Sequence, residues 1–332
     1  MAQEQHTGPV FIVGMNGSGT TLLRDLLNNH PAFYAFPKET KLLPYFIDAI
    51  AAGKFGDLRV DGNFRRLWET LCNDPRFQLG RGEWAPLPEN WRTLPHDLAT
   101  VVEHTMRFFA AREGKLRWGE KTPNHVLHME KLAALFPEAR FVHLIRDGRG
   151  CAASLHRRWG YHPQRTLVRW KTAIVEGRAQ GERLGDRYLE VRYEALAVDP
   201  DTWMRRICTH LGLPFTNEVL TVKRRHRPVV AQEKTVVAAG AGRWQSYFSV
   251  RQQRRMEAIA GGTLAALGYP VVNHTQDSEP GALACRLWEV SDYLRRGFAL
   301  LRGNRRTARG SALRVRWNEA HTAMRTWKHK RA

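Results

Sequence analysis

Short apolar runs alternate along this chain with longer segments in which apolar residues recur every three or four positions. Four such runs are rich in β-branched and aromatic residues and predict strands, at residues 10–13, 116–118, 140–145 and 188–193. Helical spacing predicts helices at residues 20–29, 97–113, 125–136, 151–158, 165–184 and 201–211. Because strands alternate with helices, we expect an α/β fold in which helices cover both faces of a parallel sheet.

Two regions interrupt this alternation. Residues 53–95 are rich in Gly, Pro, Trp and Arg and show weak periodicity, which predicts loops and short helices over one face. Residues 261–280 contain Gly, Pro, Asn and Asp, which indicates a boundary. We therefore divide the chain into an α/β domain over 1–272 and a basic helical extension over 273–332.

A glycine-rich segment directly follows the first predicted strand. From Gly14 to Thr21 the sequence is Gly-Met-Asn-Gly-Ser-Gly-Thr-Thr, which matches the phosphate-binding pattern G-x-x-x-x-G-K-[ST] except that Thr20 replaces the lysine. A strand, a glycine turn and a helix start bind an anion through backbone N–H groups and the helix dipole. Since the missing lysine normally reaches the β- and γ-phosphates, the segment predicts a phosphate-like ligand and disfavours a kinase or ATPase.

Three segments with anion-binding or catalytic residue types follow predicted strands. They are residues 14–21, 120–123 and 146–154. In parallel sheets, ligands bind at the carboxyl ends of the strands. We therefore expect the three segments to form one site at that edge of the sheet.

The charge of the chain is strongly positive. The 332 residues include 52 Lys and Arg against 32 Asp and Glu, for a net charge of +20. Residues 286–332 contain thirteen Lys or Arg and three Asp or Glu, so 13 − 3 = +10, half of the total. Such a balance indicates anionic partners, such as a phosphorylated ligand, an acidic glycan, nucleic acid or an anionic membrane.

The four cysteines and the hydropathy of the chain narrow its class. The cysteines are far apart and form no C-x-x-C pair, which indicates free thiols rather than a zinc site or a disulfide scaffold. No run of about 18 apolar residues predicts a membrane span, and the polar residues 1–8 do not resemble a signal peptide. We expect a cytoplasmic protein.

Several ordered motifs resemble those of the sulfotransferases that use 3′-phosphoadenosine 5′-phosphosulfate (PAPS). Residues 18–23 (Ser-Gly-Thr-Thr-Leu-Leu) are similar to the family's 5′-phosphosulfate loop. Residues 146–149 (Arg-Asp-Gly-Arg), with Ser154 eight positions after Arg146, resemble its 3′-phosphate motif. Glu39 and residues 121–123 (Lys-Thr-Pro) resemble its catalytic elements, and 191–196 and 242–249 match weaker signatures. The resemblance covers about residues 9–270, so 1–272 is expected to be a sulfotransferase catalytic domain.

The resemblance implies a P-loop-like three-layer fold, transfer of a sulfuryl group to an acceptor hydroxyl, and no metal. Glu39 would be the general base and Lys121 the group that stabilises the oxygen bridging phosphorus and sulfur. The residues implied in binding PAPS, or its product PAP, are Asn16, Gly17, Ser18, Gly19, Thr20, Thr21, Arg146, Ser154, Tyr193 and Arg243. The chain departs from the family at Gly17, where Arg or Lys is usual. We expect a nearby cation to replace it, from among Lys38, Lys41, Lys121 and Arg24.

Simpler roles compete with these assignments. Glu39 could be a solvated glutamate beside two lysines, and Lys121 could pair with Glu120. Two other functions also stay open at this point: a P-loop kinase-like transferase, and a polyanion- or nucleic-acid-binding protein with a vestigial nucleotide site. The second anion motif and Glu39 favour the sulfotransferase, so we do not expect nucleic acid as a partner.

Two apolar stripes lie in the basic extension. They are formed by Leu287, Val290, Leu294 and Leu301, and by Leu313, Trp317, Ala320, Met324 and Trp327. Their spacing predicts two amphipathic helices. We expect these helices to pack on the α/β domain, with peripheral contact to an anionic membrane as the alternative. The acceptor is expected to be a small molecule, a carbohydrate or a lipid-linked compound, and the oligomeric state is not indicated.

Overall fold

The computed structural model describes residues 8–74, 85–224, 227–230, 243–273 and 276–301, with only the backbone of 222–224, 227–230 and 296–301. The helices and strands are, in chain order, β1 (Val10–Gly14), α1 (Thr20–Asn28), β2 (Phe33–Ala35), α2 (Leu43–Ala51), α3 (Asp61–Cys72), α4 (Leu98–Arg112), β3 (Arg117–Lys121), α5 (Met129–Leu135), β4 (Arg140–Ile145), α6 (Gly148–Trp159), α7 (Pro163–Leu184), β5 (Tyr188–Arg192), α8 (Tyr193–Val198), α9 (Pro200–Leu211), β6 (Thr221–Arg224), β7 (Arg227–Val230), α10 (Trp244–Tyr247), α11 (Val250–Ala266) and α12 (Ala282–Leu301). One compact unit is built from residues within 1–146 and 172–243, and the other from residues within 147–171 and 244–332.

The first unit contains a parallel sheet with the strand order β2-β3-β1-β4-β5. In this register Ile12 of β1 lies beside Lys121 of β3, and Gly14 lies beside Leu144 of β4. The carboxyl ends of β1, β3 and β4 therefore meet at one edge of the sheet. This confirms the predicted α/β fold and the predicted meeting of three strand ends.

Successive residues of β1 pack against different layers because side chains alternate along a strand. Val10 and Ile12 belong to a buried cluster with leucines of α1 and apolar residues of α9. Phe11 points to the opposite face, where its ring lies 5.4 Å from that of Phe141 on β4 and 5.9 Å from that of Phe136, which directly follows α5. The sheet is thus the middle layer of a three-layer, P-loop-like fold, as predicted.

Two predicted helix starts are capped as the sequence indicates. Asp97 accepts a hydrogen bond from the Thr100 N–H at 2.7 Å, and α4 follows it. Asp199 accepts from the Thr202 N–H at 3.2 Å, with a proline at the first helical position of α9. A side-chain oxygen satisfies an otherwise unpaired N–H at each helix start, which contributes about 1 kcal/mol.

The structure adds elements that the sequence pattern did not predict and extends others. β2 and α2 were not expected, whereas α3, an amphipathic helix of twelve residues, lies in the segment predicted to contain loops and short helices. β3 continues three residues past the predicted strand and ends at Lys121. Tyr193 begins α8 instead of ending β5. These differences matter for the candidate site, because Lys121 is the last residue of β3 and Tyr193 is the first residue of α8.

The second unit includes α6, α10, α11, α12 and the start of α7. α12 confirms that residues 287–301 are helical, whereas the second predicted stripe, at 313–327, lies outside the described residues. The division of the chain at residue 272 remains a prediction. None of the helices that the structure describes is long and apolar enough to cross a membrane. All four cysteines are free, as predicted.

Candidate active site

The loop after β1 is a tight turn that ends at the start of α1. The Ser18 N–H donates to the Met15 carbonyl at 3.0 Å, and Gly17 and Gly19 adopt the left-handed φ values of 90° and 99°. A Cβ atom added at Gly19 would lie 2.5 Å from the ring of Tyr193. Glycine is therefore required at position 19 both by its backbone angle and by the close approach of this ring.

The loop leaves polar groups available to an anion. The Ser18 side chain is 1% exposed, and its hydroxyl has no hydrogen-bond partner among the residues that the structure describes. No side chain in the same described part of the chain caps α1, whose start lies at Gly19. Thr20 is buried, Thr21 is exposed and Asn16 is half-buried. An uncapped helix start with a buried, unpaired hydroxyl fits a phosphate-like group.

Arg146 connects the loop to Tyr193. Its Nη1 donates to the Gly17 carbonyl at 3.1 Å, and its guanidinium lies 4.4 Å from the centre of the Tyr193 ring. The structure thus brings together four residues that the sequence assigned to nucleotide binding: Gly17, Gly19, Arg146 and Tyr193. The contact of Arg146 with Gly17 was not predicted, since the motif resemblance assigned Arg146 to the 3′-phosphate.

The other two nucleotide-binding candidates lie elsewhere along the chain. Ser154 is buried on α6, in the second unit. Arg243 is exposed and immediately precedes α10. Their roles in binding PAPS remain predictions.

Glu39 forms ion pairs with two lysines. Its Oε1 lies 2.5 Å from Lys121 Nζ and its Oε2 lies 3.1 Å from Lys41 Nζ. The Lys121 side chain is buried, whereas those of Glu39 and Lys41 are partly exposed. The two candidate catalytic residues, 82 positions apart in sequence, are therefore in direct contact.

The environment of Glu39 keeps it ionised. Burial alone would raise the pKa of Glu39, but the charges and hydrogen bonds of Lys121 and Lys41 outweigh burial and lower the pKa below its usual value. The carboxylate is thus ionised at neutral pH, and the same two lysines reduce its basicity.

Glu120 has different partners from its neighbour Lys121. Its carboxylate is fully buried, lies 2.7 Å from His125 Nδ1 and accepts from the Thr122 hydroxyl at 2.7 Å. It also accepts from the Thr40 N–H at 3.4 Å. Consecutive residues of a strand point to opposite faces, so Lys121 pairs with Glu39 instead of with Glu120. The alternative pairing considered from the sequence was wrong.

The backbone contact of Thr40 gives Glu120 a positioning role. Thr40 directly follows Glu39, so its bond to the Glu120 carboxylate ties the Glu39 segment to β3. Lys121 extends from the same strand. The Glu39 segment and Lys121 are therefore both attached to β3.

The cations proposed as replacements at position 17 have other partners. Arg24 donates to the Asp25 carboxylate and to the Pro37 carbonyl, and burial lowers the pKa of Lys38. Lys41 and Lys121 form ion pairs with Glu39. Arg146 is the cation that contacts Gly17 itself.

Strand register explains why Arg146 reaches this loop. β1 and β4 are adjacent, and Gly14 pairs with Leu144, so residues 16 and 146 each lie two positions beyond this pair. The sequence does not indicate that β1 and β4 are adjacent. Once that pairing is assumed, the equal distances of residues 16 and 146 from the Gly14–Leu144 pair indicate that Arg146 lies near the loop.

Comparison with known proteins places this geometry in a family. A family model described as "Sulfotransferase family" matches residues 9–217. Protein-tyrosine sulfotransferase 1 of Danio rerio is 27% identical over 294 residues, which cover 82% of this chain and 76% of that protein. Protein-tyrosine sulfotransferase A of Caenorhabditis elegans is 27% identical over 222 residues, 64% of this chain; the chain spans 51% of that protein's length.

A solved structure shows the same fold. The sulfotransferase domain from the Synechococcus PCC 7002 olefin synthase has a TM-score of 0.52 and 24% sequence identity with this chain. The match covers 81% of this chain and 98% of that one. With the family match extending over residues 9–217, more than half of its length, the chain belongs to the sulfotransferase family.

Proposed function

We propose that this sulfotransferase moves the sulfuryl group of PAPS to an acceptor hydroxyl, with Glu39 as the general base and Lys121 as the group that stabilises the leaving oxygen. The observation that supports this most is the Glu39–Lys121 pair, held at the strand edge where β1 ends in an uncapped anion-binding turn. A proton acceptor, a cation and an anion site are thereby gathered at one end of the sheet.

The donor is proposed from family membership and from the fit of the loop. PAPS supplies an activated sulfuryl group on a 5′-phosphate. The backbone turn at 17–21 and the Ser18 hydroxyl would hold the 5′-phosphosulfate, and Tyr193 and Arg146 lie beside that turn. Ser154 and Arg243 are proposed for the remainder of the nucleotide. Metal is not required by this scheme.

The proposed transfer balances as an in-line displacement. The acceptor oxygen forms a bond to sulfur while the bond from sulfur to the bridging oxygen breaks, and PAP leaves. The acceptor proton passes to a Glu39 carboxylate oxygen, and Lys121 Nζ donates to the bridging oxygen as negative charge develops there. Charge spread over the sulfuryl oxygens makes placement and electrostatics the main sources of rate, as in phosphoryl transfer.

Lys121 changes partner in this scheme. In the structure its Nζ donates to the Glu39 carboxylate. Bound PAPS would attract Lys121 and leave Glu39 with less positive charge around it. The basicity of Glu39 therefore rises when the reaction requires it.

The acceptor is proposed as a small molecule, a carbohydrate or a lipid-linked compound with a free hydroxyl. Two relatives are named for protein tyrosine, so a tyrosine peptide belongs in the same panel. The test is transfer of radiolabelled sulfate from PAPS to that panel, together with thermal shifts by PAP, ATP and NAD. Stabilisation by ATP alone, with turnover of ATP in magnesium, would support the kinase-like alternative.

Arg146→Ala is expected to weaken PAP binding about tenfold or more, because charge-assisted hydrogen bonds to a phosphate are among the stronger polar contacts. Isothermal titration with PAP measures the change. Arg59→Ala is the matched control, since Arg59 is a highly exposed arginine of the same unit. Equal PAP affinity in both variants would remove Arg146 from the nucleotide site.

Lys41→Met is expected to move the acid limb of the kcat/KM profile to higher pH. Lys41 is one of the two cations that lower the Glu39 pKa, so its loss raises that pKa and leaves less ionised base at acid pH. Lys131→Met is the control, because Lys131 is similarly exposed and pairs with Asp48. An unmoved acid limb in Lys41→Met would show that another group governs it.

A further inference from the structure

The polar face of α12 packs inward. The Asp292 carboxylate is fully buried and accepts from the His162 backbone N–H at 2.6 Å and from Arg165 Nη1 at 2.7 Å. Arg165 Nη2 also donates to Glu289 at 2.9 Å, and the Trp288 ring stacks on that of His162 at 5.2 Å. α12 is therefore anchored to the rest of the second unit by its acidic and aromatic side chains.

The apolar face of α12 points outward. Leu283, Leu287, Val290 and Leu294 are 72%, 60%, 53% and 57% exposed. Their spacing of four, three and four places them on one side of the helix, along about 16 Å of its axis. The sequence predicted that this helix packs on the domain; it contacts His162 and Arg165 there, but through its acidic and aromatic side chains and not through Leu287, Val290 and Leu294. Exposed apolar stripes of this kind mark an interaction surface.

The positive charge of the residues after α12 indicates which kind of surface binds the apolar stripe. Residues 302–332 contain ten Lys or Arg and one Glu, so 10 − 1 = +9. A second copy pairing through α12 would bring two such segments together at the cost of their repulsion. An anionic lipid surface accepts the leucines and attracts the cations at the same time.

We propose that α12 lies on an anionic phospholipid bilayer with Leu283, Leu287, Val290 and Leu294 in contact with lipid. The inward position of the acidic groups suits this arrangement. Asp292 is buried, Glu289 is only partly exposed, and both are paired with Arg165 away from the stripe, so their negative charges do not face the headgroups. Arg286, next to the stripe, is exposed and adds positive charge at the same surface.

The test is flotation of the full chain with two kinds of vesicle, phosphatidylcholine alone and phosphatidylcholine with phosphatidylglycerol in equal parts. We expect binding to the anionic vesicles and a marked loss of that binding in high salt. Leu287→Glu with Leu294→Glu should weaken it about a hundredfold, since burial of each leucine contributes about tenfold to partitioning and added acid repels the headgroups.

Val175→Glu with Val198→Glu is the matched control. These valines are 55% and 71% exposed on other helices, so the double change adds the same charge and removes exposed apolar side chains of similar size without touching α12. The control should bind vesicles like the unchanged chain. Equal weakening in both variants would show a general charge effect and overturn the proposal.

Two further readouts distinguish other occupants of the stripe. Because the leucines are exposed, Leu287→Glu with Leu294→Glu should leave Tm unchanged and should not alter the mass measured by light scattering. A large fall in Tm, or dissociation of a dimer, would show that the chain itself covers the stripe. Failure of the unchanged chain to float with anionic vesicles would also overturn the proposal. The inference does not rest on the proposed reaction, since PAP binding and sulfate transfer are measured without vesicles.

Discussion

Glu39→Gln is expected to lower kcat about a hundredfold or more while PAP still binds, because glutamine keeps the shape of the side chain but cannot accept the acceptor proton. Glu39 also balances the charge of Lys121 and Lys41. Its neutralisation leaves two cations near the anion site, so PAP affinity should be retained. Steady-state transfer of labelled sulfate and titration with PAP measure the two quantities separately.

The control for this variant is Glu69→Gln, an isosteric change of an exposed glutamate on α3 that should leave both quantities unchanged. Near-normal turnover in Glu39→Gln would exclude Glu39 as the base. A parallel loss of PAP binding would instead mean that Glu39 supports the fold of the donor site.

Arg149→Met should lower the free energy of unfolding by about 3–5 kcal/mol, because it leaves two buried carboxylates without their cation. The Arg149 guanidinium is buried, donates to both Asp147 oxygens and to Glu257 Oε1, and lies 3.9 Å from the centre of the Trp244 ring. The expected fall in Tm is on the order of 10 °C. Urea unfolding followed by tryptophan fluorescence measures the free energy.

Arg157→Met is the matched control, since Arg157 is an exposed arginine of the same helix, α6. The double variant Arg149→Met with Glu257→Gln should lose less stability than the two single changes added, because one of the unpaired charges is gone. Additive losses would mean that the Arg149–Glu257 pair contributes nothing specific.

The two arginines of the Arg-Asp-Gly-Arg motif thus have separate surroundings. Arg146 contacts Gly17 and Tyr193, whereas Arg149 is enclosed by Asp147, Glu257 and Trp244 in the second unit. The sequence presents them as one motif. The difference depends on partners between 47 and 129 residues away in the chain, and the local sequence pattern contains no information about those contacts.

The elements that periodicity predicted well are those with one clear apolar face or a continuous buried run. β1, β4 and α9 were found within two residues of the expected bounds, since their patterns and caps are strong. β2 was missed because three residues show no period. α2 was missed because its apolar residues are not confined to the side that contains Leu43, Phe46 and Ala49. With apolar residues on several sides of the helix, the sequence shows no single apolar stripe.

The candidate site was predictable in its residue types and less so in its pairings. The glycine turn, Glu39 and Lys121 stood out in the sequence, and parallel topology predicted that they share an edge. To predict the contact of Arg146 with Gly17, the order of the strands must be known. To predict the Glu120–His125 pair, one must know that β3 continues to Lys121. The inward acidic face of α12 also depends on partners at His162 and Arg165, far away in the chain.

The central place of β1 in the sheet has a consequence for biosynthesis. Val10 pairs with Gly119 and Arg140, so its two neighbours are encoded 109 and 130 residues later. At ribosomal rates of about 5–20 residues per second, the strands that pair with β1 are synthesised roughly ten seconds after β1 itself. The glycine turn directly follows β1, yet the strands that frame it on both sides are complete only after residue 145 has left the ribosome.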